Sequence, residues 1–238
     1  MAERTAFPVG GYVLAGGRSA RMGTDKALLE LDGKPLIEHA VRKLRRICSD
    51  VHILSSNVEL EWYAPLVPDL HPDCGPIGGI EAALLRSPFD WNVFLAVDMP
   101  FLPAGFMWGW MNEWMTRKDD GARLRMFTAD GRLQPGFCLL HKDVTPLLFD
   151  AIRHEEFRLV QVFETAGEEL ARRRGLAPGA GLWSAPATAS MTEPGGTKLA
   201  ERCEFSVAQL AAEHLWFANL NTPRDFAEAA ENLEALDA

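Results

Sequence analysis

The sequence predicts an α/β fold, and three observations carry that prediction. Short apolar runs alternate with longer amphipathic segments along most of the chain, the pattern of βαβ construction. The two most apolar runs, residues 9–14 and 91–97, stop abruptly at Ala15-Gly16-Gly17 and at Asp98. The length of 238 residues suits one large α/β domain better than two small ones.

Residues 9–14 (Val-Gly-Gly-Tyr-Val-Leu) read as the first buried strand. Residues 35–48 then place Leu36, Ile37, Ala40, Val41, Leu44 and Ile47 on one helical stripe. Residues 51–54 and Leu66-Val67 are short strands, residues 79–85 a short helix opened by glycines, and residues 91–97 a second buried strand. Phe106, Trp110 and Trp114 recur four apart, with Met107, Met111 and Met115 beside them. That spacing gives the core stripe of an amphipathic helix rather than an aromatic ligand platform. Residues 137–140 form another strand-like run beyond Arg123. The stretch 175–198 is rich in Gly, Ala, Pro, Ser and Thr and has no periodicity, so it is expected to be a long flexible insertion, a loop or lid. Residues 225–238 close the chain as a polar, alanine-rich helix. With no internal repeat and no second-domain boundary, residues 7–235 read as a single domain.

Hydrophobic residues make up 47% and charged residues 24%, ample material for a core. The net charge of -9 argues against non-specific nucleic-acid binding, which wants a basic face. Four well-separated cysteines form no CxxC pair, and six scattered histidines form no metal-spaced pair. The first residues lack the apolar stretch of a signal peptide, and no apolar run is long enough to span a bilayer. The expectation is a cytoplasmic protein with free thiols and no membrane partner.

Four segments carry chemistry. In residues 14–29 the first strand runs into Gly16 and Gly17, then Arg18, Arg21, Gly23 and Lys26. Glycines let backbone amides approach a polyphosphate, and Arg21 and Lys26 can neutralise charge that the amides cannot. The spacing fits neither the P-loop nor the G-x-G-x-x-G dinucleotide fingerprint. Asp98 ends the most apolar strand, where open α/β sheets bind ligands, and a triphosphate needs a hard cation held by one or two carboxylates. A helix N-cap before Pro100 would also account for it. Residues 69–80 bring Asp69, Gly75, Gly78 and Gly79 to the start of a helix, whose amino end favours anions. Finally, Asn219 and Asn221 alternate with apolar residues as on one face of a strand, and Thr222, Pro223 and Asp225 read as a capped helix start. No serine sits in a G-x-S-x-G elbow.

These motifs resemble the molybdenum cofactor guanylyltransferases, the MobA family of nucleotidyltransferases. Leu-Ala-Gly-Gly-x-Ser-x-Arg-Met-Gly-x-Asp-Lys-Ala-Leu, Gly-Pro-Ile-Gly-Gly, Asp-Met-Pro-Phe and Asn-Leu-Asn-Thr-Pro stand here in that family's order, over roughly residues 9–141 and 214–234. The resemblance implies a three-layer αβα, Rossmann-like nucleotidyltransferase fold with a mostly parallel sheet. It also implies an N-terminal nucleotide-binding half and a C-terminal acceptor-binding half. Leu14, Ala15, Gly16 and Gly17 would lie against the guanine and ribose of GTP, and Asp69 near the base. Arg21 and Lys26 would bind phosphates and Asp98 would hold Mg²⁺, these three forming the catalytic set. Gly75, Gly79, Asn219 and Asn221 would face the acceptor, molybdopterin. The implied reaction is attack of the molybdopterin phosphate on the α-phosphorus of GTP, and cofactor-delivery or recipient molybdoenzyme chaperones are implied partners. A family asparagine after the second strand has four competing matches, Leu54, Ser55, Ser56 and Asn57, and is left unassigned. Two other functions compete: a CTP-, UTP- or cobinamide-phosphate-using nucleotidyltransferase, and a non-catalytic nucleotide-binding domain.

Overall fold

The computed structural model describes residues 6–16, 25–116, 119–129, 131–186 and 205–237. Strand β1 (Phe7–Leu14) opens the chain, and a small antiparallel ribbon follows, β2 (Glu30–Leu31) with β3 (Lys34–Pro35). Next come β4 (Cys48–Leu54), β5 (Leu66–Val67), β6 (Trp91–Ala96), β7 (Leu124–Ala129), β8 (Arg132–His141) and β9 (Leu182–Pro186). Apart from the ribbon, all join one seven-stranded sheet in the order β5-β4-β1-β6-β8-β7-β9. Strands β5, β4, β1 and β6 pair in parallel, β8 runs antiparallel to both its neighbours, and β9 is parallel to β7.

Five helices, α1 (Leu36–Arg45), α2 (Pro76–Arg86), α3 (Ala104–Thr116), α4 (Thr145–Arg153) and α5 (Leu159–Arg173), connect these strands. Two short ones, α6 (Val207–Ala211) and α7 (Pro223–Ala230), lie near the carboxyl end. Alternation along the strands separates two cores. Val93, Leu95, Phe137 and Leu139 face a core with α1 and α3, whereas Phe94, Cys138 and Leu140 face one with α2, α4 and α5. The three-layer αβα arrangement is therefore present. Phe106, Trp110 and Trp114 are buried on α3 as the periodicity predicts; Phe106 and Trp110 each lie 5.0 Å or slightly more from the Phe127 ring.

Two sequence expectations change. The segment read as flexible from residue 175 contains β9, which among the described residues pairs with β7 alone, and its Trp183 packs 4.6 Å from Trp114. The part of that segment from residue 187 lies outside the described residues. Asn219 and Asn221 occupy an irregular segment rather than a strand. The helix start after them matches the reading: Thr222 and Asp225 form a capping box with Pro223 at the first turn. Cys48, Cys74 and Cys138 are buried free thiols, and Cys203 is outside the described residues. No helix among the described residues is long and apolar enough to cross a membrane.

Candidate active site

The parallel strands β1, β4 and β6 end side by side at Leu14, Leu54 and Ala96, so the loops leaving them share one edge of the sheet. Backbone bonds fix the starts of two of these loops. Ala15 N donates to Leu54 O (3.3 Å) and Val97 N to Leu14 O (3.1 Å). These bonds use the Leu14 carbonyl and the Ala15 amide for the fold. Leu14 and Ala15 are half-buried and Gly16 is exposed at this edge. Gly17 and Arg21 lie outside the described residues.

Lys26 is where the distant motifs meet. Its Nζ donates to Asp98 Oδ2 at 2.5 Å and to Asn221 Oδ1 at 2.6 Å, across 72 and 195 residues of chain. Both Lys26 and Asp98 are half-buried, with side chains 15% and 17% exposed, so the pair is partly screened yet open to a ligand. The Asp98 loop is also tied to the asparagine segment, because Leu220 N donates to Asp98 O at 3.0 Å. Asn221 Nδ2 in turn reaches Asn219 O at 3.4 Å. Asp225 accepts from the amides of Asn221 and Thr222 at 2.7 Å each, which holds its carboxyl below the usual range and fixes the segment's end. The N-cap reading of Asp98 gives way to this contact with Lys26.

Two residues here go beyond the sequence reading, which gave Asp25 no role and left Asn57 as one of four unassigned candidates. Asp25 caps the 3₁₀ turn Lys26–Leu28 by accepting from Ala27 N at 3.0 Å, and its second oxygen accepts from Asn57 Nδ2 at 2.7 Å. Asn57 is itself fixed, since its Oδ1 accepts from Glu59 N and its amide donates to Ser55 Oγ. Lys26 thus stands on a braced turn. The signal was available: an Asp directly before the lysine, and an Asn just past β4, are both residues that hydrogen-bond local backbone.

Asp69 and the start of α2 form a second group. Gly75 caps α2 at φ +66°, a left-handed conformation that a side chain would strain. A Cβ on Gly79 would stand 2.9 Å from Asp69 Oδ1 and 3.3 Å from Leu54 Cβ, so only glycine lets the helix approach this carboxylate. Burial pushes the Asp69 carboxyl up. The four residues expected to face an acceptor therefore fall in two places. Gly79 packs with Asp69 and Leu54, while Asn221 joins Lys26 and Asp98.

A family model of the MobA-like NTP transferase domain matches residues 11–169, which includes the second half of β1, Lys26, Asp69 and Asp98. The chain belongs to that family. Molybdenum cofactor guanylyltransferase of Serratia proteamaculans is 34% identical over 164 residues, covering 66% of this chain and 80% of that protein. The enzyme of the same name from Vibrio cholerae is 31% identical over 157 residues, covering 64% and 75%. The solved structure of molybdopterin-guanine dinucleotide biosynthesis protein A from Archaeoglobus fulgidus superposes with a TM-score of 0.66 at 22% identity, over 96% of this chain and all of that one. That likeness covers the fold, including the part of the sheet beyond residue 169.

Chemically, the described residues bring the Lys26 ammonium, the Asp98 carboxylate and the Asn221 carboxamide together at this edge. Among the described residues no three His, Cys, Asp or Glu side chains gather into a protein-only metal cage. The donor set fits a hard divalent cation that takes one carboxylate and completes its shell with phosphate oxygens and water, as Mg²⁺ does.

Proposed function

We propose that the chain transfers GMP from GTP to the phosphate of molybdenum-bound molybdopterin, forming the molybdopterin guanine dinucleotide and releasing pyrophosphate. The single observation that carries this is Lys26 Nζ held between Asp98 and Asn221 at the carboxyl edge of the parallel sheet, in a chain of the MobA-like family. The names of its relatives point to a guanylyl donor and the molybdenum cofactor as acceptor. Asp98 would hold Mg²⁺, which supplies charge neutralisation of the triphosphate and fixes its orientation.

The protein's own residues do the rest by positioning and charge. Lys26 exchanges its contacts with Asp98 and Asn221 for phosphate oxygens, and the braced Asp25–Asn57 turn keeps the ammonium in place as it does so. The acceptor phosphate already carries the nucleophilic oxygen, so no side-chain nucleophile is needed. Arg21 adds a second cation on the phosphates, and Asn219 and Asn221 form the acceptor side. Since the Leu14 carbonyl and Ala15 amide serve the sheet, reading of guanine falls to the peptide groups at Gly16 and just beyond. Adenine presents the reverse donor and acceptor pattern and leaves such groups unpaired, at about 1–3 kcal/mol each. The reaction is that of a cytoplasmic enzyme. Hand-over of the acceptor and product would involve delivery or recipient chaperones.

The test is pyrophosphate release with each of the four Mg-triphosphates, with and without molybdopterin. Release that requires both GTP and molybdopterin supports the proposal. Equal release with CTP moves the chain to a cytidylyl donor, and release without molybdopterin overturns the acceptor.

A further inference from the structure

The loop of residues 97–103, which carries Asp98 from β6 to α3, is fastened from beneath by charges that the chemistry described above does not use. Lys43 lies on the apolar stripe of α1, with a side chain only 2% exposed, and its Nζ donates to Pro100 O. Asp237, the penultimate residue, brings Oδ2 to 3.9 Å from Lys43 Nζ. The same carboxylate accepts from Ala104 N, the first residue of α3, at 2.8 Å and from Gln209 Nε2 on α6 at 3.1 Å. Arg46 Nη1 stands 3.9 Å from its other oxygen. Both ends of the loop after Asp98 are thus held, Pro100 by the lysine and Ala104 by the aspartate.

A lysine in this position is expensive. Burial pushes the Lys43 ammonium down to about 8. Replacing a whole buried ion pair by apolar side chains of similar volume is often neutral or stabilising. Packing alone therefore does not account for a cation here, whereas a donor to the Pro100 carbonyl does.

We infer that Lys43 and Asp237 are positioning residues: the buried pair sets the height of the 97–103 loop and so aims Asp98 at Lys26 and the phosphates. Asp237 thereby supports the Asp98 loop through Lys43 and Ala104. The inference rests on the reaction proposed above for the role of Asp98, but not for the clamp itself.

Lys43→Met separates aim from stability. Asp237 keeps Ala104, Gln209 and Arg46, so the variant should still fold with a lowered thermal midpoint; measured where it is folded, kcat should fall at least tenfold, and the KM for GTP should change less than twofold. Hydrogen exchange at the amides of Met99, Phe101 and Leu102, measured without any substrate, should quicken severalfold. Asp237→Asn should move both readouts the same way but less, because its carboxamide oxygen can still accept from Ala104 or Gln209. The double variant should be no worse than Lys43→Met, as for two parts of one device. If Lys43→Met fails to fold, Asp237→Asn decides. A soluble variant with wild-type kcat and wild-type exchange at those three amides overturns the clamp. A wild-type protein that releases no pyrophosphate from GTP overturns the proposed reaction instead, and the exchange measurement still decides the clamp.

Discussion

Two charged clusters sit at opposite ends of the same sheet and are built in opposite ways. At the amino ends of β6 and β7, Arg123 forks onto Asp119 through Nη1 and Nη2 at 2.9 and 3.0 Å and reaches Asp143 through Nε at 3.1 Å. Beside it Arg125 forks onto Asp120 and lies 3.8 Å over the Trp114 ring. At the carboxyl ends, Lys26 makes one contact to Asp98 and one to Asn221. A guanidinium held by two parallel bonds has one geometry, while an ammonium on a flexible stem can trade one oxygen for another. The first cluster ties residues 119–125 to the loop after β8; the second holds a cation ready for a better anion. The contrast separates charges that maintain the fold from charges that serve a ligand.

The sharpest way to break the contrast is at Asp98. Asp98→Asn keeps the shape but loses the charge, so turnover should fall by about 10²–10³-fold, the scale for one preorganised electrostatic group. Its thermal midpoint should barely move, because the new carboxamide oxygen can still accept from Lys26 and the bond to Asn221 remains. Near-normal turnover at saturating Mg²⁺ would remove Asp98 from the chemistry. Lys26→Ala should lose about 2–4 kcal/mol in kcat/KM for GTP, again with little loss of stability. A variant within threefold of wild type at subsaturating GTP would show that Lys26 is a surface ion and nothing more.

Arg123→Met should do the reverse. It removes the fork on Asp119 and the bond to Asp143, leaving them the Gly121 amide and Arg174, at about 1–3 kcal/mol of folding stability. Activity at a temperature where the variant is folded should stay within twofold. Loss of activity without loss of stability would erase the distinction between the two ends. A smaller effect is expected at Asn57, whose bond to Asp25 braces the Lys26 turn. Asn57→Ala should cost about 0.5–1.5 kcal/mol in kcat/KM, because the lost bond to the Asp25 carboxylate reaches the substrate only through the Lys26 turn. An effect confined to the thermal midpoint would make Asn57 a loop staple alone.

How far each cluster could be read from the sequence follows from the same difference. Lys26 and Asp98 were legible because each stands at the end of a strongly apolar strand or its glycine-rich exit, and strand order then brings such ends together. Asn221 was legible as a residue, but its setting was not. Alternation with apolar neighbours suggested a strand, whereas the segment is held by the Asp225 cap and by Leu220 bonding to Asp98 O. Strand β9 escaped because Leu-Trp-Ser-Ala-Pro, which among the described residues pairs on one side, needs little β-pattern of its own. Its register comes from β7 and its anchor from Trp183 on Trp114, both non-local. The Asp25–Asn57 brace and the Lys43–Asp237 clamp likewise join residues far apart in sequence, and no periodicity encodes such pairs.

The weakest expected effect tests the first cluster by pH. The bonds from the Arg123 side chain, with the Gly121 amide next, hold the Asp119 carboxyl well below the usual carboxylate range. A carboxyl depressed in the folded state adds stability that is present above its unfolded value, near pH 4, and lost as the pH falls towards the folded value. Asp119 is 59% exposed, so solvent screening limits the contribution to about 1 kcal/mol or less. Asp119→Asn keeps an acceptor for Arg123 but cannot titrate. Its thermal midpoint should lie below wild type at pH 6, and the gap should narrow as both proteins are taken towards pH 3. The other depressed carboxyls, Asp120 and Asp225 among them, titrate equally in both proteins, so the gap isolates this one pair. A gap that stays constant from pH 6 to pH 3 would mean that Asp119 acts through its hydrogen bonds alone, and that the fork on Arg123 owes nothing to charge.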